Sequence, residues 1–265
     1  GPRRVVGCSI DVPALVGREG VSPIEIARSL DGPSGLDAFA SVLRQHVDSV
    51  GATHVILPPV LGTSNPAEVR VLLEEQLGCT VIESLGVPPS VPGMRLQSVL
   101  ERMLTSSGGV LLRGHTVVGV DVSGDTVKSV VARTPHRRVT ISASSFVLAT
   151  GKFIGGGIVT DNAGVREALL GLPVVDGMRR HVGDDRPTRL TSRYAITEDG
   201  HPLYSCGVSV DEYLRPVDLD GTVQFENLYC AGAVVSGHNY PVHKDGLGVA
   251  LVTGHAAGVA AAAVD

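Results

Sequence analysis

Three residues that can carry charge or accept a proton stand just ahead of a glycine-rich segment near the end of the chain. His243 and Lys244 directly precede Asp245-Gly-Leu-Gly248, and His238 lies a few positions upstream. A cation at that place could stabilise developing negative charge, and histidine is suited to accept an alcohol proton. The alternative for His243 and Lys244 is a pair of solvated loop residues. We therefore take His238, His243 and Lys244 as candidate catalytic residues.

The surrounding segment has the pattern of a strand, a glycine-lined turn and an apolar helix. Leu228 to Ala231 is predicted to be a short buried strand, and Gly246 is predicted to open a buried helix. The unpaired N–H groups at the start of such a helix attract an electron-rich ligand edge. Many flavoproteins hold an isoalloxazine ring in this way, and tight packing through small residues is the alternative. The candidate cofactor-binding residues are Thr150, Gly151, Gly155, Gly232, Gly237, Gly246, Leu247 and Gly248.

The composition excludes several classes of function. The net charge of −5 and the absence of tryptophan argue against nucleic acid as a partner. The four cysteines lie far apart without a Cys-x-x-Cys pair, so we expect a reduced, cytoplasmic protein with no metal site. No Gly-x-Ser-x-Gly or His-Glu-x-x-His motif supports a hydrolase or metalloenzyme. With 43% apolar residues and 33 glycines, the chain is typical of an α/β enzyme.

The predicted elements divide the chain near residue 92. Before it, helices alternate with short strands, which is typical of an α/β unit with parallel pairing. Three prolines within Val87–Gly93 mark the boundary. After it come a helix over Met94–Ser107 and several short strands, and most of residues 160–221 is predicted to be solvated loop. The predicted strands are Val5–Ile10, His54–Pro58, Cys79–Glu83, Val110–Leu112, His115–Val122, Val127–Ala132, Arg138–Ser142, Ser145–Gly151 and Leu228–Ala231.

Two of these strand ends resemble a known class of flavoprotein. Phe146-Val-Leu-Ala-Thr-Gly151 and Asn227-Leu-Tyr-Cys-Ala-Gly-Ala233 are similar to the second and third flavin-contacting strands of glutathione-reductase-like proteins. In that class a helix, a small β-meander and an Ala-Thr-Gly strand end follow the dinucleotide fold. Residues 94–151 have the same order.

A narrower resemblance covers nearly all of the chain. Several motifs in the same order look like the family of the B subunit of anaerobic glycerol-3-phosphate dehydrogenase, and together they are specific where each alone would be weak. They are Ile24–Leu30, Pro88-Pro-Ser-Val-Pro-Gly-Met-Arg-Leu-Gln97, Asn162-Ala-Gly-Val-Arg-Glu167, Leu170-Gly-Leu172, Leu214-Arg-Pro216 and Glu226-Asn-Leu228.

The resemblance implies an α/β fold, with a partial FAD/NAD(P)-binding-type flavin domain of three layers (β/β/α) and a cap-like module. Residues 1–92 would form the α/β cap-like module, and residues 93–265 the carboxy-terminal half of the flavin domain, with an irregular insertion near 158–224. The implied cofactor is FMN or FAD. The implied activity is the oxidation of glycerol 3-phosphate to dihydroxyacetone phosphate, with electrons passed to quinone.

The resemblance also implies partners, namely a second flavoprotein subunit and an iron–sulfur subunit of the same complex. The protein would be cytoplasmic or peripheral at the inner face of the cell membrane, with membrane contact only through the complex. A flavin-free interaction or scaffold subunit is one alternative, and a fumarate-reductase-like dehydrogenase with another substrate is a second.

A phosphorylated substrate calls for guanidinium groups, which bind phosphate through paired hydrogen bonds. Arg95, Arg166 and Arg215 lie in or beside the motifs that carry the resemblance, so we take them as candidate substrate-phosphate ligands. An ordinary structural ion pair is the alternative for each.

One departure from the flavoprotein pattern concerns the phosphates of the cofactor. No Gly-x-Gly-x-x-Gly turn, which would hold them, occurs in the sequence. Gly1-Pro2 is what a common protease leaves after tag removal, so an engineered fragment is expected. Such a fragment would carry half a site and be inactive alone, and FMN, which needs no pyrophosphate cradle, would be its easier ligand.

Overall fold

The computed structural model describes residues 4–86, 88–161, 164–183 and 187–263. Internal contacts divide the chain into two compact units, residues 1–112 and 113–265. Some residues of the segments discussed above lie outside the described ones. They are Gly1-Pro2, Val87, Asn162-Ala163, Asp184-Asp-Arg186 and Val264.

Helices and strands alternate through the first unit. Ser22 and Glu25 form a capping box at the first helix: the Glu25 N–H donates to Ser22 Oγ at 3.3 Å, and the Ser22 N–H donates to Glu25 Oε2 at 3.0 Å. The elements are α1 (Pro23–Ser29), α2 (Pro33–Val50), β1 (His54–Leu57), α3 (Pro66–Leu77), β2 (Thr80–Glu83) and α4 (Val91–Ser106).

The core of the first unit lies between α2, α3 and the strand pair. Strands β1 and β2 pair in parallel, with His54 opposite Thr80. The predicted apolar face of α2 is buried at Leu36, Phe39 and Leu43. These contacts confirm the α/β character that the alternating pattern predicted for this part of the chain.

Two predicted strands do not form among the described residues. Val5–Ile10 is irregular, and Val5 is 88% exposed. Val110–Leu112 is also irregular and exposed. Both predictions were wrong because an apolar run becomes a strand only beside another strand that satisfies its backbone groups, and neither segment has one here.

Helix α4 belongs with the first unit by its contacts. Arg95 in its second turn donates to Glu83 at the end of β2 and to the carbonyl of Gly62 at 2.8 Å. The first compact unit therefore extends to Leu112. The role of residues 1–92 as a cap-like module stays a prediction.

The second unit is built from short sheets and one long helix. Strands β3, β4 and β5 form the predicted antiparallel meander, in that order. The elements are β3 (Thr116–Ser123), β4 (Thr126–Arg133), β5 (Arg138–Ser142), β6 (Phe146–Leu148), β7 (Ile158–Asp161), β8 (Gly164–Glu167), β9 (Val174–Val175), β10 (Gly207–Val208), β11 (Leu228–Cys230), α5 (Tyr240–His243) and α6 (Gly246–Ala262).

Helix α6 packs through small residues against the parallel pair β6 and β11. Ala257 lies against Tyr229 and Ala231, and the hydroxyl of Ser145 donates to the carbonyl of Ala261 at 2.7 Å. Only Ala257 of this helix is buried. The prediction of a buried helix is wrong for the described chain, because a two-stranded sheet covers only one face. The large apolar side chains Leu247, Leu251, Val252 and Val259 are 50–70% exposed.

The segment 160–221 is more ordered than predicted. Strands β7 and β8 pair antiparallel, and so do β9 and β10. A core cluster includes Val165, Val174 and Val182, which are all fully buried. Most of the described residues of this segment are irregular, as predicted, but the prediction missed the short strands and the buried cluster, because strands of two to four residues are too short to show a period in the sequence. Arg179 and Arg180 are exposed, as expected.

Candidate functional site

The parallel strands β6 and β11 end at the same edge of their sheet. Phe146 is opposite Leu228, and Leu148 is opposite Cys230. Ligands of α/β proteins bind at the carboxyl ends of such strands. The chain leaves this edge through Gly151, with φ of +78°, and Gly232, with φ of +70°. Both positions need glycine for that backbone conformation, so the predicted turns form where a ligand would lie.

Helix α6 is joined to the same edge. The Gly232 N–H donates to Thr253 Oγ1 at 2.7 Å, and that hydroxyl donates to the carbonyl of Val249 at 2.6 Å. The predicted strand–turn–helix arrangement is therefore present, with the second turn of α6 held to the glycine turn that follows β11.

The N–H groups at the start of α6 are available to a ligand. Asp245 precedes the helix without capping it, and its Oδ1 is buried with no hydrogen-bond partner among the described residues. Within the same residues, no acceptor outside the helix takes the N–H groups of Gly246, Leu247 and Gly248. A Cβ added at Gly248 would meet no heavy atom within 4 Å. Three donors and the positive helix end therefore mark a place for an electron-rich group.

A turn over residues 151–157 folds tightly onto the end of β6. The Gly157 N–H donates to the carbonyl of Lys152 at 3.0 Å. A Cβ on Gly157 would lie 2.2 Å from the Gly151 carbonyl oxygen and 2.6 Å from Thr150 Oγ1, and one on Gly155 would lie 3.0 Å from the Thr150 carbonyl oxygen. Thr150 Oγ1 is buried and unpartnered among the described residues, which suits a ligand contact.

His238, His243 and Asp245 lie together ahead of α6. His243 Nδ1 is 3.7 Å from Asp245 Oδ2, and it accepts the Asn239 N–H at 3.4 Å. Burial, and then the nearby Lys152 ammonium, lower the pKa of His238, while Asp245 acts in the opposite direction. The His238 ring is therefore neutral near pH 7 and able to accept a proton.

The remaining predicted residues of this region have clear positions. Lys244 ends α5 with φ of +59°, and its exposed ammonium donates to the carbonyl of Pro241. Gly237, with φ of +94°, donates its N–H to the carbonyl of Ser205 at 3.0 Å. A Cβ on Gly246 would lie 3.2 Å from Cβ of Tyr240, so this glycine lets the tyrosine pack at the helix start.

Sequence reasoning missed Lys152. This residue is only 7% exposed, and its ammonium donates to the carbonyl of Tyr204 and, at 3.4 Å, to that of His238. Burial lowers its pKa to about 8. The sequence signal for Lys152 is its position inside the glycine turn that follows a buried strand, because a charged side chain there has little access to water.

The three candidate phosphate ligands each pair with a carboxylate. Arg95, in the first unit, holds Glu83 through two nitrogens at 2.7 and 3.0 Å. In the second unit, two guanidinium nitrogens of Arg166 donate to the two carboxylate oxygens of Asp161, at 2.8 and 2.7 Å. Arg215 pairs with Asp211 at 2.9 Å and with Glu226. This is the ion-pair arrangement weighed as the alternative, and the phosphate role stays a prediction.

Among the described residues, no helix is both long and apolar enough to cross a membrane. In the same part of the chain, no three His, Cys, Asp or Glu side chains are placed to hold a metal ion.

Comparison with known proteins identifies relatives of this chain. A protein from Halobacterium salinarum, named as the probable B subunit of anaerobic glycerol-3-phosphate dehydrogenase, is 37% identical over 238 residues, covering 88% of this chain and 53% of its own length. The Pasteurella multocida protein named as the B subunit of that enzyme is 32% identical over 82% of this chain and 49% of its own length. The Vibrio cholerae protein of the same name is 29% identical over 88% and 50%. The chain thus spans about half the length of these relatives.

The family comparison agrees with the geometry of the site. The profile of the FAD binding domain family matches residues 2–246, which include both strand ends and the first residue of α6. This match confirms the expected flavoprotein fold and the expected flavin cofactor, and the family name specifies FAD. The chain therefore belongs to the FAD binding domain family.

Proposed function

We propose that this chain is the flavin-binding part of a respiratory dehydrogenase subunit that oxidises glycerol 3-phosphate to dihydroxyacetone phosphate, with electrons passed to quinone. Three relatives named as the B subunit of anaerobic glycerol-3-phosphate dehydrogenase support the substrate. The observation that carries the proposal is the set of available N–H groups at the start of α6, beside the carboxyl ends of β6 and β11.

In this proposal, the residues at this edge of the sheet hold one side of a flavin ring. The N–H groups of Gly246, Leu247 and Gly248 would donate to the electron-rich edge, and the unpartnered Thr150 hydroxyl would contact the ring or ribityl chain. When bound, the flavin supplies a hydride acceptor. His238, neutral near pH 7, would accept the proton of the substrate hydroxyl as the hydride leaves.

The proposed substrate carries a phosphate group that needs cationic ligands. Arg95, Arg166 and Arg215 remain the candidate ligands, and each would have to exchange a carboxylate partner for the phosphate. Replacing each arginine by glutamine in a full-length relative, and measuring KM for glycerol 3-phosphate, tests these assignments. An unchanged KM for all three would remove them.

The names of the relatives also suggest a multi-subunit assembly. We propose that a second flavoprotein subunit and an iron–sulfur subunit are its partners. In this arrangement the protein is cytoplasmic or peripheral at the inner face of the cell membrane, and the complex provides the membrane contact.

A flavin-free docking module is the second candidate function. The exposed apolar side chains Leu251, Val252 and Val259 on α6 favour it, because a partner surface would remove them from water. This candidate predicts that the chain assembles with other subunits and binds no flavin.

Flavin titration of the chain separates these functions. FAD and FMN are added separately, and binding is followed by the change in flavin absorption and fluorescence. A full-length relative from Halobacterium salinarum serves as the positive control for FAD. Saturable binding by the chain supports the flavin site, whereas no binding by either protein supports the docking module.

Two glycine variants test where the flavin binds. Gly248→Val places a side chain over the available N–H groups of α6, and Gly258→Val places the same side chain later on the same helix. At both positions an added Cβ meets open space, so both variants should fold. We expect Gly248→Val to lose most of the flavin affinity and Gly258→Val to retain it; equal effects would contradict the assignment.

A further inference from the structure

The proposed function leaves the charge of Lys152 unexplained. Its side chain is almost fully buried, and no carboxylate in the described part of the chain forms an ion pair with it. Its hydrogen-bond partners are the carbonyl oxygens of Tyr204 and His238, and the nearby Cys206 thiol raises its pKa against the larger effect of burial. Burying an ammonium without a carboxylate partner is unfavourable, so a purely structural position would be better served by an uncharged side chain.

Holding the two segments together does not require the lysine. The Gly237 N–H already donates to the carbonyl of Ser205 at 3.0 Å, and the Ser236 N–H donates to that of Val208 at 3.0 Å. These backbone bonds join the same segments that the ammonium touches. What Lys152 adds to them is a positive charge beside His238.

The charged groups that face His238 come from three elements. Lys152 lies in the turn 151–157, His243 ends α5, and Asp245 precedes α6. The His238 ring also donates a hydrogen bond to the backbone carbonyl of Val235. Of these groups, Lys152 and His243 oppose protonation of the His238 ring, whereas Asp245 and the Val235 carbonyl favour it.

We propose that Lys152 acts through His238: its buried ammonium, hydrogen-bonded to the His238 carbonyl, keeps the imidazole in the neutral, proton-accepting form. The inference rests on the proposed role of His238 in accepting the substrate proton. The order in which Lys152 and His238 titrate agrees with this proposal. Because the pKa of Lys152 is about 8, the ammonium remains charged throughout the pH range in which His238, whose pKa is lowered, takes up its proton.

NMR titration of the 265-residue chain without flavin tests this inference. The Cε1–Hε1 signals of the histidines are followed against pH, and His238→Gln identifies the His238 signal. We expect His238 to titrate below the normal histidine range. We also expect a second, smaller inflection of the same signal at about pH 8, where Lys152 loses its charge.

Three variants separate the effect of the Lys152 charge on His238 from any effect of the substitution on the fold. Lys152→Met should move the His238 midpoint upward, and Lys152→Arg should keep it low. Lys244→Met is the matched control, because this exposed lysine is not among the groups that shift the pKa of His238, and it should leave the midpoint unchanged. A folded Lys152→Met chain with an unmoved His238 midpoint would overturn the proposal.

The wild-type titration decides the question if Lys152→Met does not fold. A His238 signal without an inflection at about pH 8 would then overturn the inference. Since neither readout uses flavin, failure of the flavin titration would refute the proposed function while leaving the effect of Lys152 on His238 measurable.

Discussion

Gly157→Ala should destabilise the second unit, because the turn 151–157 leaves no room for a methyl group. The new Cβ would lie 2.2 Å from the Gly151 carbonyl oxygen, whereas ordinary contacts begin at 3.4 Å, so backbone must move by about 1 Å. Overpacking typically costs about 1–3 kcal/mol, and loss of the Gly157 N–H bond to the Lys152 carbonyl adds roughly 1 kcal/mol. We therefore expect the free energy of unfolding to fall by about 2–4 kcal/mol.

Urea denaturation followed by circular dichroism measures this change, and Gly254→Ala is the matched control. The control makes the same substitution inside α6, where the new methyl group meets open space. Alanine is a better helix former than glycine, so the control should stabilise the chain by roughly 0.5–1 kcal/mol. The two variants are thus predicted to change the free energy of unfolding in opposite directions. A Gly157→Ala chain as stable as wild type would refute the assigned packing of the turn at the candidate site.

Four further changes have defined outcomes. Glu83→Gln should lower the free energy of unfolding by about 2–4 kcal/mol in urea, because it leaves the partly buried guanidinium of Arg95 without its carboxylate. Asn227→Leu should cost about 2–4 kcal/mol in the same assay, because the Asn227 side chain makes three hydrogen bonds to backbone. Val252→Lys should change stability by less than about 0.5 kcal/mol, because this side chain is exposed. Between pH 8 and 10.5, the wild-type chain should gain about 3 kcal/mol relative to Lys152→Met, because Lys152 deprotonates at lower pH in the folded than in the unfolded chain.

Each of these expectations can be contradicted separately. An unchanged free energy of unfolding in Glu83→Gln or Asn227→Leu would mean that the hydrogen bonds described for those residues do not contribute to stability. A large loss of stability in Val252→Lys would mean that α6 is covered in solution, for example by a second copy of the chain. A difference from Lys152→Met that does not change between pH 8 and 10.5 would mean that the Lys152 pKa is not lowered.

Features with local causes were predictable from the sequence. The capping box of α1 depends only on Ser22 and Glu25, which are three residues apart in the chain. The meander β3–β5 also follows from short strands and tight turns that are close in the chain. The predicted glycine turns at Gly151 and Gly232 have the positive φ values that only glycine adopts readily.

Features that depend on distant residues were not predictable. Lys152 is buried by contacts with Tyr204 and His238, which lie 52 and 86 positions away in the chain. The ion pair of Arg95 with Glu83 likewise depends on how α4 lies against β2. The segment Val5–Ile10 has the residue types of a strand but no partner strand among the described residues. Sequence patterns indicate which residues prefer an element, and the fold decides which of them meet.

The most direct test of the flavin site is to follow backbone amide signals of the chain by NMR during addition of FAD. The proposed site predicts that the largest shifts occur at Thr150, Gly151 and Gly246–Gly248, where the strand ends meet the available N–H groups of α6. Gly258, on the same helix, should shift little. Large shifts confined to other parts of the chain, with these amides unmoved at saturation, would contradict the assignment of the flavin site.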